Sequence, residues 1–337
     1  MNPRTLKRLA IALIVLVVAW AGLALAQHLG RDREGRIRLA SFDPGVADGV
    51  LIRHRSDTLR FVRQGDGWLV NGNRANAGYV NDLLHALADT TAPSELAAKA
   101  ASSLPQLGLD TADAWTVEAL LGTRVLTALD VGNHGDGYST IYVRKPGATT
   151  AYQLTQGQLA DVTDRMADDW RDKTVAQVVP ESVAVVQVRR GARAYTLTRG
   201  AKGWRLGAAP ADSAAVASML SQYRDVQATG FPTAAQADTA RRARPSREVT
   251  LEAAGGRPLL VLQLDSTTGS YWVRRQGDST LYQLDDYTVG LMTPADSTLR
   301  ARPGKPAPPA RAAAATTAGT KPARRRRPLP LGGKTGH

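Results

Sequence analysis

Two stretches of this 337-residue chain share one pattern of residues, and this repeat constrains the fold more than any other feature. Residues 49–70 alternate apolar and polar side chains, break at a short polar turn and end after a Gly-Trp pair at Trp68. Residues 183–206 do the same and contain their Gly-Trp pair at Trp204. Alternation with a period of two is typical of strands that bury one face. Each stretch therefore predicts antiparallel strands joined by tight turns.

A segment with helical spacing follows each Gly-Trp pair. Residues 77–87 and 213–223 carry apolar side chains three and four positions apart, which places them on one face of a helix. Asp212 immediately precedes the second segment and predicts an N-cap there. The chain then returns to alternating strands, and a Tyr-Gln-Leu triplet occurs in both copies, beginning at Tyr152 and at Tyr282.

The expected fold class is therefore α+β, with an internal duplication. We predict two repeated domains, residues 45–175 and 182–298, each of mainly antiparallel sheet with one or two helices. A chain of this length suits two domains of average size, and 43% hydrophobic residues are enough to build their cores.

The N-terminal part predicts a membrane anchor. Residues 9–26 carry no charge and would form a helix about 27 Å long, close to the hydrocarbon thickness of a bilayer. Three basic residues precede this run and favour an N-terminus in the cytoplasm. We interpret residues 1–30 as a cytoplasmic tip and a single transmembrane helix, a signal anchor. The alternative is a cleavable signal peptide, because Ala24-Leu25-Ala26 has the form of a cleavage site. Both interpretations export the body.

The formal net charge of +13 is located at the two ends of the chain. Ten Lys or Arg residues and no acid occur from residue 300 onward, and residues 9–299 contain thirty basic and thirty acidic residues. A neutral body argues against nucleic acid as a partner. Residues 300–337 predict a disordered basic tail rich in Pro, Ala and Arg. Such a tail has anionic lipid or an anionic cell-wall polymer as its candidate partner.

No grouping of residues predicts catalysis. The chain has no cysteine, its five histidines lack metal-ligand spacing, and the known nucleophile and phosphate-loop motifs are missing from the sequence. The loop at residues 133–137 contains His134 and Asp136, but its counterpart at residues 266–269 has neither, so a hairpin turn is the preferred interpretation. We expect no catalytic residue, no cofactor and no metal, and therefore no enzyme.

One charged cluster is the candidate interaction site: Trp170, Arg171, Asp172 and Lys173. It lies where the first copy passes into the second. This segment and the Gly-Trp strand with its following helix resemble the family called domain of unknown function 4340. The Leu-Gly-Leu element at residues 107–109 and the N-terminal apolar run also fit. The resemblance extends over roughly residues 45–295.

The resemblance implies a bacterial envelope protein, often encoded beside ABC-type transporter components of gliding or export systems. It implies no catalytic residue. The expected location is the bacterial inner membrane, with a single membrane pass and a periplasmic or otherwise extracytoplasmic body. The expected function is that of an accessory or scaffold subunit that binds a transporter-associated envelope protein. The alternative is a module that binds a cell-wall polymer or lipid.

Overall fold

A computed structural model describes residues 35–137, 139–242 and 244–301 of the chain. The predicted anchor at residues 1–30 and the tail beyond residue 301 lie outside these residues. Among the helices that the structure describes, none has the length and apolar character needed to cross a membrane. The described residues up to Arg300 cluster as one compact unit, so the division into residues 45–175 and 182–298 stays a prediction.

The first half of the body forms a nine-stranded antiparallel sheet. Its strands are β1 (Gly49–His54), β2 (Asp57–Gln64), β3 (Gly67–Val70), β4 (Asn73–Arg74), β5 (Ser94–Ala98), β6 (Trp115–Leu121), β7 (Arg124–His134), β8 (Thr140–Arg144) and β9 (Ala151–Thr155). Their spatial order is β4-β3-β2-β1-β6-β7-β8-β9-β5. Consecutive hairpins produce this order, except for the step from β1 to β6 and the addition of β5 beside β9.

The second half forms an eight-stranded antiparallel sheet. Its strands are β11 (Val185–Arg190), β12 (Arg193–Gly200), β13 (Gly203–Leu206), β14 (Ala209–Pro210), β16 (Arg247–Glu252), β17 (Pro258–Thr267), β18 (Ser270–Arg275) and β19 (Leu281–Asp285). Their order, β14-β13-β12-β11-β16-β17-β18-β19, is that of the first sheet without an equivalent of β5. A separate two-stranded sheet pairs β10 (Thr174–Ala176) with β15 (Val226–Gln227).

Five α-helices accompany the sheets within the described residues. They are α1 (Ala77–Ala88), α2 (Gly157–Asp164), α3 (Ser213–Ser221), α4 (Ala234–Arg242) and α5 (Asp286–Met292). The Asn76 side chain accepts a hydrogen bond from the Tyr79 amide and caps α1, and Asp212 caps α3 in the same way through Ala214 and Ala215. These caps satisfy amides that have no partner inside the helix. The expected α+β class with mainly antiparallel sheets is confirmed.

Each sheet packs one face against helices and forms a core there. The first core groups Val50, Phe61 and Leu129 from the strands with Leu83 and Leu87 of α1. The second core groups corresponding strand residues with Val216 and Leu220 of α3. We call the opposite side of each sheet its back face. A short element covers part of each back face: residues 104–109 in the first half and α4 in the second.

The two halves also correspond in detail. Both sheets have a bulge at the same place, between Ala119 and Leu120 in β6 and between Leu251 and Glu252 in β16. Such a bulge inserts one residue and increases the local twist. Hence the two sheets share their irregularities as well as their strand order.

Candidate interaction site at the junction of the two sheets

The candidate residues lie at a turn that closes the first half. A 3-10 turn, Ala167–Trp170, brings Trp170 into the first core, where its ring is fully buried and meets Phe61 edge-on at 5.2 Å between centroids. The Trp170 carbonyl accepts a hydrogen bond from the Asn76 amide at 2.8 Å. The turn therefore holds the start of α1, and the indole takes the place of a core residue.

A turn of the same kind closes the second half, and the comparison of the two sequence repeats did not detect it. The 3-10 turn Asp296–Leu299 buries Leu299, whose carbonyl accepts from the Asp212 amide at 2.8 Å. An isolated antiparallel β-bridge then pairs the backbone of Arg300 with Ala211, and an equivalent β-bridge pairs Arg171 with Ala75. Trp170 therefore corresponds to Leu299. The replacement of an aromatic by an aliphatic residue hides the match in the sequence.

Arg171 reaches from the closing turn to the second half of the molecule. Its guanidinium lies 3.4 Å from the ring centroid of Phe231, and its Nη1 donates to Asp168 at 3.1 Å. The side chain is only 15% exposed. A partly desolvated guanidinium stacked on an aromatic face is a stronger contact than an exposed one, so this pair helps to join the halves.

Arg74 forms the centre of an ionic network at the same junction. Its Nε lies 3.0 Å from the Asp172 Oδ2. Across the junction, its Nη2 lies 3.4 Å from the Asp278 Oδ2. Its Nη2 also donates to the Tyr282 hydroxyl at 3.1 Å, and that hydroxyl donates to Asp278 at 2.9 Å. The network thus connects β4 of the first sheet with β19 of the second. Arginine suits this position because its planar fork can serve several acceptors at once.

The network changes the acidity of its members. Burial raises the pKa of Tyr282, and its hydrogen bond to the Asp278 carboxylate raises that pKa further. Burial alone would raise the pKa of Asp278. The Thr280 amide, the Tyr282 hydroxyl and the Arg74 charge outweigh it, so the pKa of Asp278 lies below its ordinary value. The carboxylate is therefore the favoured form of Asp278 at this junction.

Residues 172–176 continue from the closing turn into the second half. The Asp172 side chain accepts from the Thr174 amide at 2.9 Å, and the Lys173 carbonyl accepts from the Ala228 amide at 2.7 Å. The Lys173 ammonium lies 2.7 Å from Asp169 and lowers the pKa of that carboxyl. Pairing of β10 with β15 follows, so backbone hydrogen bonds also join the halves here.

A cavity of about 490 Å³ opens beside this junction. Trp68, Leu69 and Arg74 form part of its wall, together with Asp172 and Thr174. Apolar and charged groups thus meet at its surface. Its size lies within the range of pockets that hold a small ligand or one or two side chains of a partner.

The structure separates the four predicted interaction residues. Trp170 is fully buried and Arg171 nearly so, whereas the Asp172 and Lys173 side chains are 25% and 32% exposed. In this conformation only Asp172 and Lys173 offer appreciable surface to a partner, and the interaction role of the segment stays a prediction. Sequence reasoning missed four junction residues: Arg74, Phe231, Asp278 and Tyr282. The sequence did mark Arg74 as different between the two copies, because the equivalent position in the second copy is Pro210.

Other titratable groups lie apart from the junction. At the end of β7, the His134 Nε2 lies 2.8 Å from the Asp164 Oδ1, and β8 pairs antiparallel with β7. The ring of His54 stacks on that of Trp115, with 4.1 Å between the ring centroids. Within the part of the chain that the structure describes, no three His, Asp or Glu side chains are close enough together to hold a metal ion.

Comparison with known families bears on the same region. Residues 68–209 match the model of the family described as domain of unknown function 4340. The family resemblance is thereby confirmed over this segment. It runs from β3 of the first sheet to β14 of the second and includes the closing turn and β10, whereas β15 lies beyond it. No curated protein and no solved structure matches the chain significantly.

Proposed function

We propose that this chain is a non-catalytic, membrane-tethered protein of the bacterial envelope that acts as an accessory or scaffold subunit of an ABC-type transport or gliding system. The observation that carries the proposal is the junction. Ionic, aromatic and backbone contacts there join two large sheets, and a cavity of about 490 Å³ stays open beside them. Two connected sheets with an open cavity beside their junction suit the binding of a protein segment.

The edges of the sheets are poor candidates for docking. β4 and β14 have two residues each, and β14 includes Pro210, which lacks an amide hydrogen. β5 contains a bulge between Leu96 and Ala98, and β19 bonds through Gln283 to Gly230. Short, bulged or covered edges oppose the addition of a partner strand. The junction cavity is therefore the preferred docking site.

The tether has its own test. A reporter that is active only in the periplasm is fused after Ala40, beyond the predicted anchor. We expect activity, because the apolar run and its basic N-terminal flank direct the body outward. The same reporter fused after residue 8, ahead of the run, is the control and should stay inactive. An inactive fusion after Ala40 would refute the location and with it the envelope function.

In-cell photo-crosslinking tests the docking site. A photoreactive residue replaces Gln64, an exposed residue that lines the junction cavity, and a matched variant replaces the exposed Lys202 in the second half. We expect the variant at position 64 to capture a membrane protein of the transport system, identified by mass spectrometry of the membrane fraction. Equal capture at position 202 would place the contact elsewhere. Recovery of only glycan or lipid would support the alternative, a binding module for cell-wall polymer or lipid.

A further inference from the structure

The back face of the first sheet carries a row of apolar residues that is partly exposed, and its middle member, Gly49, is buried and has no side chain. Strand register places Leu69 opposite Val62, Val62 opposite Gly49, Gly49 opposite Leu120 and Leu120 opposite Val125. Val62 and Val125 are 45% and 49% exposed. The row crosses five adjacent strands and is therefore about 19 Å long. Apolar side chains that are grouped on one face, unlike singly scattered ones, make this face a candidate contact surface.

The second sheet shows that the fold does not require this row. The register there aligns Arg205, Thr198, Val185, Glu252 and Pro258 at the equivalent positions. Leu69 is thus replaced by Arg205, Val62 by Thr198 and Leu120 by Glu252. The two sheets have the same strand order but different residues at these positions. The stability of the sheet therefore does not explain why the first sheet has apolar residues there.

The molecule leaves this part of the back face uncovered among the described residues. Leu104 and Leu109 cover the same face farther along, over Ala151 and Tyr142. Further exposed apolar side chains occur at the end of the sheet where the row lies: Val46 before β1 and Leu121 at the tip of the β6–β7 hairpin are 46% and 41% exposed. Because side chains alternate along a strand, Leu121 points to the face opposite that of Leu120, so these side chains border the row without extending it.

Two arginines lie beside the row. Arg60 lies on the back face two residues from Val62, Arg124 adjoins Val125, and neither makes an ion pair within the described part of the chain. Among the nearby acids, Glu118 pairs with Arg53, whereas Asp48 accepts a hydrogen bond from the Gly122 amide and keeps its negative charge. Free guanidinium groups at the rim of an apolar surface are typical of contact with anionic lipid head groups.

The size of the row also favours lipid. A few half-exposed Val and Leu side chains offer on the order of 200 Å², since full burial of one such side chain removes roughly 60–120 Å². A stable protein interface needs about 800 Å² on each partner. A tethered body needs much less, because the tether raises the local concentration of the surface. Val46 is only twenty positions after the end of the apolar run at residue 26.

We propose that the apolar row Leu69–Val62–Leu120–Val125 and its arginine rim lie against the surface of the bilayer that holds the N-terminal run. This proposal rests on the tether in the proposed function. It orients the first sheet with its back face on the lipid head groups. The second sheet has Arg205, Thr198 and Glu252 in the equivalent row and is not expected to lie on the lipid.

Site-specific fluorescence on the full chain tests the orientation. The protein has no cysteine, so Val62→Cys and Thr198→Cys each introduce one label at equivalent positions of the two sheets. Each variant carries an environment-sensitive fluorophore and is reconstituted into vesicles of phosphatidylethanolamine and phosphatidylglycerol. At position 62 we expect blue-shifted emission, quenching by spin-labelled lipid and loss of quenching by iodide. At position 198 we expect the opposite.

The outcomes separate the two proposals. If both labels are equally open to iodide while the chain still floats with the vesicles, the row does not touch lipid and this inference is overturned. If position 62 is shielded from iodide but not quenched by lipid, another protein surface covers the row, which also overturns it. A chain that does not float with the vesicles would refute the tether itself.

Discussion

At the scale of single residues, the two equivalent tryptophans differ in burial. Trp68 is 2% exposed, and its Nε1 donates to Asn81 at 3.1 Å. Trp204 is only partly buried. An arginine lies over each ring: the Arg63 Cζ is 5.1 Å from the centroid of the Trp68 ring, and the Arg199 Cζ is 5.0 Å from that of Trp204. The sequence alone predicts equal roles in the two cores, whereas burial makes the first indole the larger contributor.

Trp68→Ala is therefore expected to lower the free energy of unfolding by roughly 3–5 kcal/mol, the usual cost of removing a buried aromatic side chain. Trp204→Ala should cost about 1–3 kcal/mol, because less area leaves water there. Chemical denaturation followed by circular dichroism measures both, and the two Trp→Phe variants are controls for the loss of the indole alone. Equal losses for the two alanine variants would contradict this assignment.

At the scale of elements, two glycines let a loop pack on the back face of the first sheet. Gly108 has a positive φ of 65° and ends the 3-10 turn Pro105–Leu107. A Cβ on Gly132 of β7 would lie 2.2 Å from the Leu107 carbonyl oxygen and 2.8 Å from the Leu109 side chain. The Leu-Gly-Leu element therefore packs directly on the strand, which only a glycine at 132 allows.

We expect Gly132→Ala to destabilise the body by about 1–3 kcal/mol or more, because the added methyl group must displace backbone rather than a flexible side chain. Gly290→Ala is the matched control. A Cβ there meets nothing within 4 Å and the residue is helical, so that change should be neutral or stabilising. Thermal unfolding of both variants decides the point, and an unchanged melting temperature for Gly132→Ala would show that the loop does not pack as described.

At the scale of the whole molecule, the junction predicts a dependence of stability on pH. The pKa of Asp278 in the folded protein lies below its ordinary value of 3.8. A carboxyl group with a lowered pKa stabilises the folded state above its ordinary pKa, and this contribution is lost as the pH falls through the folded value. The contact between Arg74 and Asp278 should therefore weaken only below about pH 4.

Asp278→Asn removes this charge, so its melting temperature should lie below that of the wild type at neutral pH and approach it as the pH falls towards 3. Asp66→Asn, in an exposed turn between β2 and β3, is the control and should follow the wild type throughout. A constant difference between wild type and Asp278→Asn across the whole pH range would mean that lost packing, rather than charge, causes the effect.

Local patterns in the sequence determined much of this architecture. Alternation and turn residues predicted the strands that became β1–β3 and β6–β9 with their counterparts, and apolar spacing predicted α1 and α3. Such signals are readable because the side-chain periods of strands and helices are properties of the local backbone. β5, the β10–β15 pair and α4 escaped prediction, since short polar segments carry no clear period and form through the surfaces that they contact.

Tertiary structure alone decided which distant residues meet. Arg74 and Asp278 are 204 positions apart, and the stacking of Arg171 on Phe231 depends on how the closing turn meets the second half. The apolar row likewise exists only through the register of five strands, since its members are scattered between residues 49 and 125 without a shared motif. Register shifts of one residue would turn each side chain to the other face. The residues of this surface are therefore visible in the sequence, but their alignment across strands is not.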